Sequence, residues 1–201
     1  MNLQPNISKE EINRMPKAEF QGKIYVIQTE AQAQEAMTYL LSQKAVGIDS
    51  ETRPSFKKGK TYKVALLQVA SEEYCFLFRL NITGLINPLI ELLENPAIVK
   101  IGLSLRDDFM LLRKRATLTP QKCIDLQDFV ASFGIQDKSL QKIYAILFER
   151  KISKTQRLSN WESDVLTDAQ QVYAATDAWA CLRIYNLLIR MNPHELSENI
   201  S

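Results

Sequence analysis

Residues 45–52 read AVGIDSET, an apolar run that ends in two carboxylates. The run favours a β-strand, and side chains alternate along a strand, so Asp49 and Glu51 point to the same face. Two carboxylates side by side repel each other and are costly to desolvate. A divalent cation would offset that cost, because Mg²⁺ and Mn²⁺ prefer oxygen ligands. Taken alone, the stretch is more typical of a strand that simply reaches solvent and needs no ion.

The composition limits the classes of protein to consider. The chain has 201 residues, enough for one large domain with tails, and its 46% hydrophobic content is ordinary for a globular core. A net charge of +2 is no strong signature of nucleic-acid binding, although a local basic patch is compatible with it. No apolar run is long enough for a bilayer, and the amino terminus lacks a signal-peptide pattern. The three cysteines form no Cys-x-x-Cys pair, so we expect a reducing cytoplasmic setting.

The single histidine limits the catalytic mechanisms and metal sites to consider. His194 lies near the carboxyl end beside Pro193, a position unsuited to the centre of a catalytic site. We therefore expect neither a Ser-His-Asp or Cys-His mechanism nor a histidine-rich metal site. The chain also lacks a glycine-rich phosphate loop, which argues against a nucleotide-binding module. Carboxylates, tyrosine, lysine or a metal must carry any catalysis.

The whole chain alternates between strand and helix patterns. Strand-favouring runs lie at 24–27, 45–51, 64–70, 74–78 and 97–101, with a candidate last strand at 123–126. Helical spacing recurs over 29–41, 85–93, 103–115, 127–133, 139–148 and 168–191. Short loops between the second, third and fourth runs predict an antiparallel meander. The later alternation predicts an α/β layer fold with a mixed sheet. Residues 1–21 and 193–201 are interpreted as tails, the first of them loosely ordered.

Two later stretches carry further acids. KIGLSLRDD at 100–108 places Asp107 and Asp108 at the start of a predicted helix, where negative charge also suits the helix dipole. YAATDA at 173–178 places Tyr173 and Asp177 four residues apart, hence on one helical face. The three stretches, in this order, resemble the three motifs of the DEDD exonucleases, in the DEDDy subgroup, whose third motif has tyrosine instead of histidine. The resemblance is closest to the Werner-type exonuclease domains and next to ribonuclease D.

This resemblance implies a fold and a metal site. The fold would be RNase H-like, a five-stranded mixed sheet flanked by helices, within a 3′–5′ exonuclease domain at residues 22–192. Two divalent metal ions, Mg²⁺ or Mn²⁺, would be bound by four residues, Asp49, Glu51, Asp108 and Asp177. Asp107 is the less favoured alternative for the second motif.

The resemblance also implies a reaction. It is hydrolysis of the terminal phosphodiester bond at the 3′ end of nucleic acid, with DNA favoured over RNA and nucleoside 5′-monophosphates released. Tyr173 would position the attacking water, because a phenol with a pKa of about 10 is a poor base at neutral pH.

Two basic stretches are candidates for substrate binding. Lys57, Lys58 and Lys60 follow the first motif directly, and Arg157 belongs to a basic stretch before the third. Nucleic-acid phosphates need cations, so a strand that enters the predicted site would meet these side chains. Solvated surface residues are the alternative interpretation, particularly for each lysine taken singly.

Two other functions stay open. One is RNA 3′-end processing of the ribonuclease D type, because recognition of a 2′-OH would come from contacts outside the motifs. The other is a catalytically inactive relative that binds nucleic acid or protein, against which the intact carboxylates argue. Because the chain ends soon after the third motif, we expect either independent action or specificity supplied by a protein partner. No membrane association is expected.

Overall fold

The computed structural model describes residues 3–57 and 59–191. Its strands are β1 (Lys17–Ala18), β2 (Lys23–Ile27), β3 (Ala45–Thr52), β4 (Val64–Ala70), β5 (Tyr74–Phe78), β6 (Val99–Gly102), β7 (Cys123–Asp125) and β8 (Lys151–Ile152). Its α-helices are α1 (Lys9–Arg14), α2 (Glu30–Leu40), α3 (Leu80–Thr83), α4 (Asn87–Glu94), α5 (Leu105–Leu112), α6 (Leu126–Phe129), α7 (Leu140–Phe148) and α8 (Asp168–Met191). A 3₁₀ turn at Val130–Phe133 continues α6.

The central sheet has six strands in the order β2-β5-β4-β3-β6-β7. β3, β4 and β5 are antiparallel in succession, as the short loops between them predicted. β2 pairs with β5 in parallel, and β6 and β7 extend the other edge in parallel. The predicted α/β fold with a mixed sheet is confirmed. The sheet has six strands where the family resemblance implied five, because the short run at 123–126 does form a strand beside β6.

Helices cover both faces of this sheet. The apolar residues of α2, α4 and α5 form a core on one face, and those of α6, α7 and α8 form a core on the other. α8 approaches β3 so closely that a β-carbon on Gly47 would lie 1.9 Å from the backbone oxygen of Ala178. Glycine at position 47 therefore permits direct contact between the strand of the first motif and the helix of the third.

The amino-terminal segment differs from its prediction. Residues 3–21 form α1 and β1, and β1 pairs in parallel with β8 to make a separate two-stranded sheet. Ile7, Ile12 and Phe20 are buried, and the Phe20 amide donates to the Thr176 hydroxyl of α8 at 3.0 Å. The prediction of a loosely ordered tail is wrong for residues 3–21, because these scattered apolar side chains find partners far along the chain. The predicted tail at 193–201 lies outside the described residues.

α8 is 24 residues long and buries residues on most of its circumference. Its alanines 174, 175, 178 and 180 are fully buried between the sheet and the surrounding elements. Even so, within residues 3–57 and 59–191 no helix has the length and apolar character needed to cross a membrane.

Replacement of Gly47 by alanine tests the contact between β3 and α8. We expect Gly47→Ala to lower the free energy of unfolding by about 1–3 kcal/mol or more, because the new methyl group meets rigid backbone. Urea unfolding followed by circular dichroism measures the change. Gly134→Asn is the control, since a β-carbon there meets nothing within 4 Å and asparagine tolerates its positive φ of 83°. Equal stabilities of Gly47→Ala and wild type would contradict the prediction.

Candidate active site

Four acids from three elements meet at the end of β3. Carboxylate oxygens of Asp49, Glu51 and Asp177 all lie within 4.8 Å of one another. Asp108 joins them from α5, where its carboxylate accepts a hydrogen bond from the Ser50 hydroxyl and repels Asp49 and Glu51 electrostatically. The structure therefore brings together all four acids that the sequence predicted. Asp107, the alternative to Asp108, is exposed on α5.

Asp125 holds the helix that carries Asp108. Its carboxylate accepts hydrogen bonds from the backbone N–H groups of Ser104 at 3.1 Å and Leu105 at 2.8 Å, at the amino end of α5. Ser104 has a φ of 61°, a left-handed conformation that turns the chain sharply from β6 into α5. Sequence reasoning missed Asp125. The signal available was an acid at the carboxyl end of a predicted strand.

Gln68 is a second neighbour that sequence reasoning missed. It pairs with Asp49 in the β3–β4 register, so both side chains point to the α8 face of the sheet. Gln68 is fully buried, and neither atom of its side-chain amide has a hydrogen-bond partner in the part of the chain that the structure describes. The amide is thus available for a hydrogen bond to a group held beside Asp49. Polar side chains inside an otherwise apolar strand were the available signal.

Burial makes the acid cluster costly to ionise. Desolvation, the largest cause, and repulsion by the other carboxylates raise the pKa of Asp49 well above its ordinary value. The same two causes raise the pKa of Glu51 to about 9. Desolvation raises the pKa of Asp177 to about 7 and that of Asp108 to about 6, although hydrogen bonds from Tyr173 and Ser50 oppose these shifts. Clustered carboxylate oxygens with unrelieved repulsion fit hard divalent cations.

Tyr173 lies against this cluster on α8. Its side chain is buried, its hydroxyl is hydrogen-bonded to Asp177, and its ring centroid is 6.0 Å from that of Trp161. Desolvation and the charges of Asp177 and Glu51 raise the pKa of the phenol well above its ordinary value. The hydroxyl therefore stays protonated at neutral pH. It is suited to holding a water molecule by hydrogen bonding and unsuited to taking its proton.

The predicted basic contacts fall into two groups. The Arg157 charge lowers the pKa of Glu51, so this residue faces the acids. The Lys154 charge likewise lowers the pKa of Asp177. Lys154 lies in the same basic stretch as Arg157, but sequence reasoning did not select it. Lys57 is exposed on the loop after β3, and the Lys60 ammonium group lies 4.9 Å from the centre of the Tyr62 ring. Lys58 lies outside the described residues. Lys57, Lys58 and Lys60 stay predictions.

The raised pKa values predict a pH dependence of stability in the presence of a chelator. These carboxyl groups hold protons more tightly in the folded chain than in the unfolded chain, where their pKa values are about 4. The stability of the folded chain therefore falls as pH rises above about 4. The fall continues through the folded pKa values, which are about 6 for Asp108, about 7 for Asp177 and about 9 for Glu51. We expect Asp177→Asn to raise the Tm of metal-free protein at pH 8 by about 3 °C, or about 1 kcal/mol, because one buried charge is removed.

The difference between variant and wild type should vanish near pH 4, where wild-type Asp177 is itself protonated. Mn²⁺ should raise the Tm of wild type more than that of Asp177→Asn. Scanning calorimetry with chelator and with Mn²⁺ measures both effects, and Asp107→Asn is the control for an exposed carboxylate. A metal-free variant less stable than wild type at pH 8 would refute the electrostatic explanation.

Comparison with known proteins places this geometry in a family. A model of the 3′–5′ exonuclease family matches residues 24–192. The mouse bifunctional 3′–5′ exonuclease/ATP-dependent helicase WRN is 32% identical, over 88% of this chain and 13% of its own length. Ribonuclease D of Haemophilus influenzae is 31% identical, over 72% of this chain and 36% of its own length. The matched part of the chain thus spans less than two thirds of the length of either relative.

A solved structure supports the fold independently. That of Trypanosoma brucei ribonuclease D in complex with the RNA U12 superposes with a TM-score of 0.73, over 85% of this chain and 63% of that chain, at 21% identity. The RNase H-like architecture predicted from the motifs is confirmed, and the DEDD family is known to use divalent metals. This chain belongs to the 3′–5′ exonuclease family of the DEDD superfamily.

Proposed function

We propose that the protein is a metal-dependent 3′–5′ exonuclease. It hydrolyses the terminal phosphodiester bond of a nucleic-acid strand and releases nucleoside 5′-monophosphates. The observation that carries the proposal is the convergence of Asp49, Glu51 and Asp177, with oxygens within 4.8 Å of one another, beside Asp108. An inactive relative would gain nothing from four buried carboxylates that destabilise its folded state.

The chain's own residues would divide the work of binding the ions. Asp49, Glu51 and Asp177 would hold one divalent cation, and Asp49 with Asp108 would hold a second, Mg²⁺ or Mn²⁺ in each case. When bound, such ions lower the pKa of a bound water and neutralise charge on the departing oxygen. Ser50 keeps the Asp108 carboxylate in place through its hydroxyl.

Three other residues would act on the substrate. Tyr173 orients the attacking water, because its hydroxyl stays protonated beside Asp177. Lys154 and Arg157 balance the negative charge of the acids and attract the phosphate that is to be cleaved. The water attacks phosphorus and gives up a proton, the bond from phosphorus to the 3′ oxygen breaks, and that oxygen takes up a proton. A nucleoside 5′-monophosphate leaves, and the shortened strand ends in a 3′-hydroxyl.

The sugar preference is a separate part of the proposal. We infer that DNA is preferred over RNA, from the resemblance to Werner-type domains and from the 32% identity to WRN over 88% of the chain. RNA 3′-end processing is the second candidate. It is favoured by the ribonuclease D relative and by a structural neighbour solved in complex with RNA.

The cellular setting and the source of specificity are further proposals. Cys75 and Cys181 are buried free thiols and Cys123 is a partly exposed one, which suits a reducing cytoplasm. Since the relatives are much longer than this chain, we also propose that a protein partner or further domain supplies part of the substrate specificity.

Removal of single acids tests the catalytic assignment. We expect Asp49→Ala and Asp108→Ala to reduce cleavage of a 5′-labelled strand at least about 100-fold, because each removes part of the cation site. Asp107→Ala, on the same turn as Asp108 but exposed, should keep near wild-type activity. Circular dichroism confirms that each variant folds. Full activity in Asp49→Ala, or equally reduced activity in the two α5 variants, would contradict the assignment.

A paired digestion tests the substrate. Matched DNA and RNA strands, each single-stranded and as a 3′-recessed duplex, are incubated with Mg²⁺ or Mn²⁺ and with chelator. We expect stepwise shortening from the 3′ end, no reaction with chelator, and a higher kcat/KM on DNA. A higher kcat/KM on RNA would reverse the sugar preference and leave the exonuclease assignment intact. Cleavage that persists with chelator would overturn the metal-dependent mechanism.

A further inference from the structure

A second cleft lies along α8 on the side of the amino-terminal segment. We call it the arginine cleft, of about 430 Å³, and its walls include Lys17, Glu19, Tyr144, Phe148, Arg150, Trp179 and Arg183. The four acids and Tyr173 do not line it. It combines aromatic rings with cations, which is the composition expected of a surface that binds phosphate and base.

Arg183 is held in a fixed position in this cleft. Its guanidinium carbon lies 5.1 Å from the centre of the Phe148 ring and 5.0 Å from that of Trp179. The Phe148 ring stacks in turn on Tyr144, with centroids 4.4 Å apart. Stacking uses the face of a guanidinium and leaves the N–H groups on its edge free to bind oxygen. The donors of Arg183 are thus oriented before a ligand arrives.

Arg150 brings a second guanidinium to the same place. It lines the cleft with Arg183, and both charges lower the pKa of the buried Tyr144 hydroxyl, against the larger upward effect of its burial. Within the described ranges, no carboxylate lies at ion-pair distance from either arginine. The acid in the cleft, Glu19, is already paired with Lys17. The cleft therefore has two uncompensated cations, an arrangement that attracts an anion.

The arginine cleft lies next to another cleft that reaches Tyr173. This smaller cleft of about 220 Å³ beside Tyr173 and Thr176 shares three wall residues with it, Lys17, Ala18 and Glu19. Tyr173 and Arg183 are ten residues apart on α8, which corresponds to about 15 Å along the helix axis. At about 3.4 Å per stacked nucleotide, that distance spans four to five nucleotides.

We propose that Arg150 and Arg183 bind a backbone phosphate of the substrate strand about four to five nucleotides upstream of the 3′ end. The strand would follow β1 from Tyr173 to the arginine cleft. This inference rests on the proposed function for the identity of the strand. The proposed phosphate site contains no residue of the three motifs. A very short strand bound at the acids cannot reach it.

Binding measured with chelator tests the proposal apart from cleavage. Fluorescence anisotropy gives the affinity of wild type and Arg150→Gln/Arg183→Gln for labelled strands of 12 and 3 nucleotides. We expect the double variant to bind the 12-nucleotide strand about five- to tenfold more weakly, with a salt slope shallower by about 0.7 for each phosphate that the variant no longer neutralises. Binding of the 3-nucleotide strand should not change. Lys44→Gln/Lys114→Gln removes two exposed cations elsewhere and should match wild type.

A second pair of measurements guards against misfolding and against another ligand. Arg150→Gln alone removes an exposed side chain, and Arg183→Lys keeps the charge but not the stacked fork, so each should fold and still weaken the 12-nucleotide complex. In NMR spectra, the 12-nucleotide strand should shift the indole N–H signal of Trp179. Unchanged affinity of the arginine variants, equal weakening in the lysine control, or a shift produced only by a free nucleoside monophosphate would overturn the proposal. If wild type cleaves no strand but the arginine variants bind the 12-nucleotide strand more weakly, the binding site is supported and the exonuclease function is overturned.

Discussion

The contact between β3 and α8 is the constraint on which the site depends. Only a glycine at position 47 allows the Ala178 backbone to lie against the strand. Asp177 lies one residue before Ala178, and Asp49 two residues after Gly47, so the same contact sets the spacing of the acids. A layer of side chains between strand and helix would hold Asp177 away from Asp49 and Glu51. The geometry of the acid cluster is thus determined by the packing of backbone on backbone.

The third element approaches from the opposite face of the sheet. Ser50 points away from Asp49 and Glu51, toward α5, where its hydroxyl meets Asp108. Asp125 at the end of β7 fixes the first turn of that helix through two backbone N–H groups. Both cores therefore contribute to the site, one through α8 and one through α5. The free energy that the buried acids cost is offset by apolar burial on both faces, which is ample in a domain of this size.

Much of this arrangement could be predicted from sequence because it is local or periodic. The Asp-x-Glu of β3, the tyrosine and aspartate four residues apart on α8, and the short loops of the meander each follow from strand or helix geometry. Asp125, Gln68 and Lys154 could not be predicted in this way. A polar residue in or at the end of an apolar strand marks Asp125 and Gln68 as unusual, but the role of each residue depends on which distant residues face it, and local spacing does not give that.

The amino-terminal segment and the arginine cleft illustrate the same limit more strongly. Residues 3–21 have few apolar side chains, and their burial depends on β8 and α8, more than 130 residues away. Arg150 lies between α7 and β8 and Arg183 lies on α8, and the aromatic rings that orient Arg183 come from both α7 and α8. Under the proposed function, the acid cluster would act on a phosphodiester whatever the sugar or the length of the strand. Selectivity among substrates would then come from surfaces such as the arginine cleft, which the segment outside the family match helps to build.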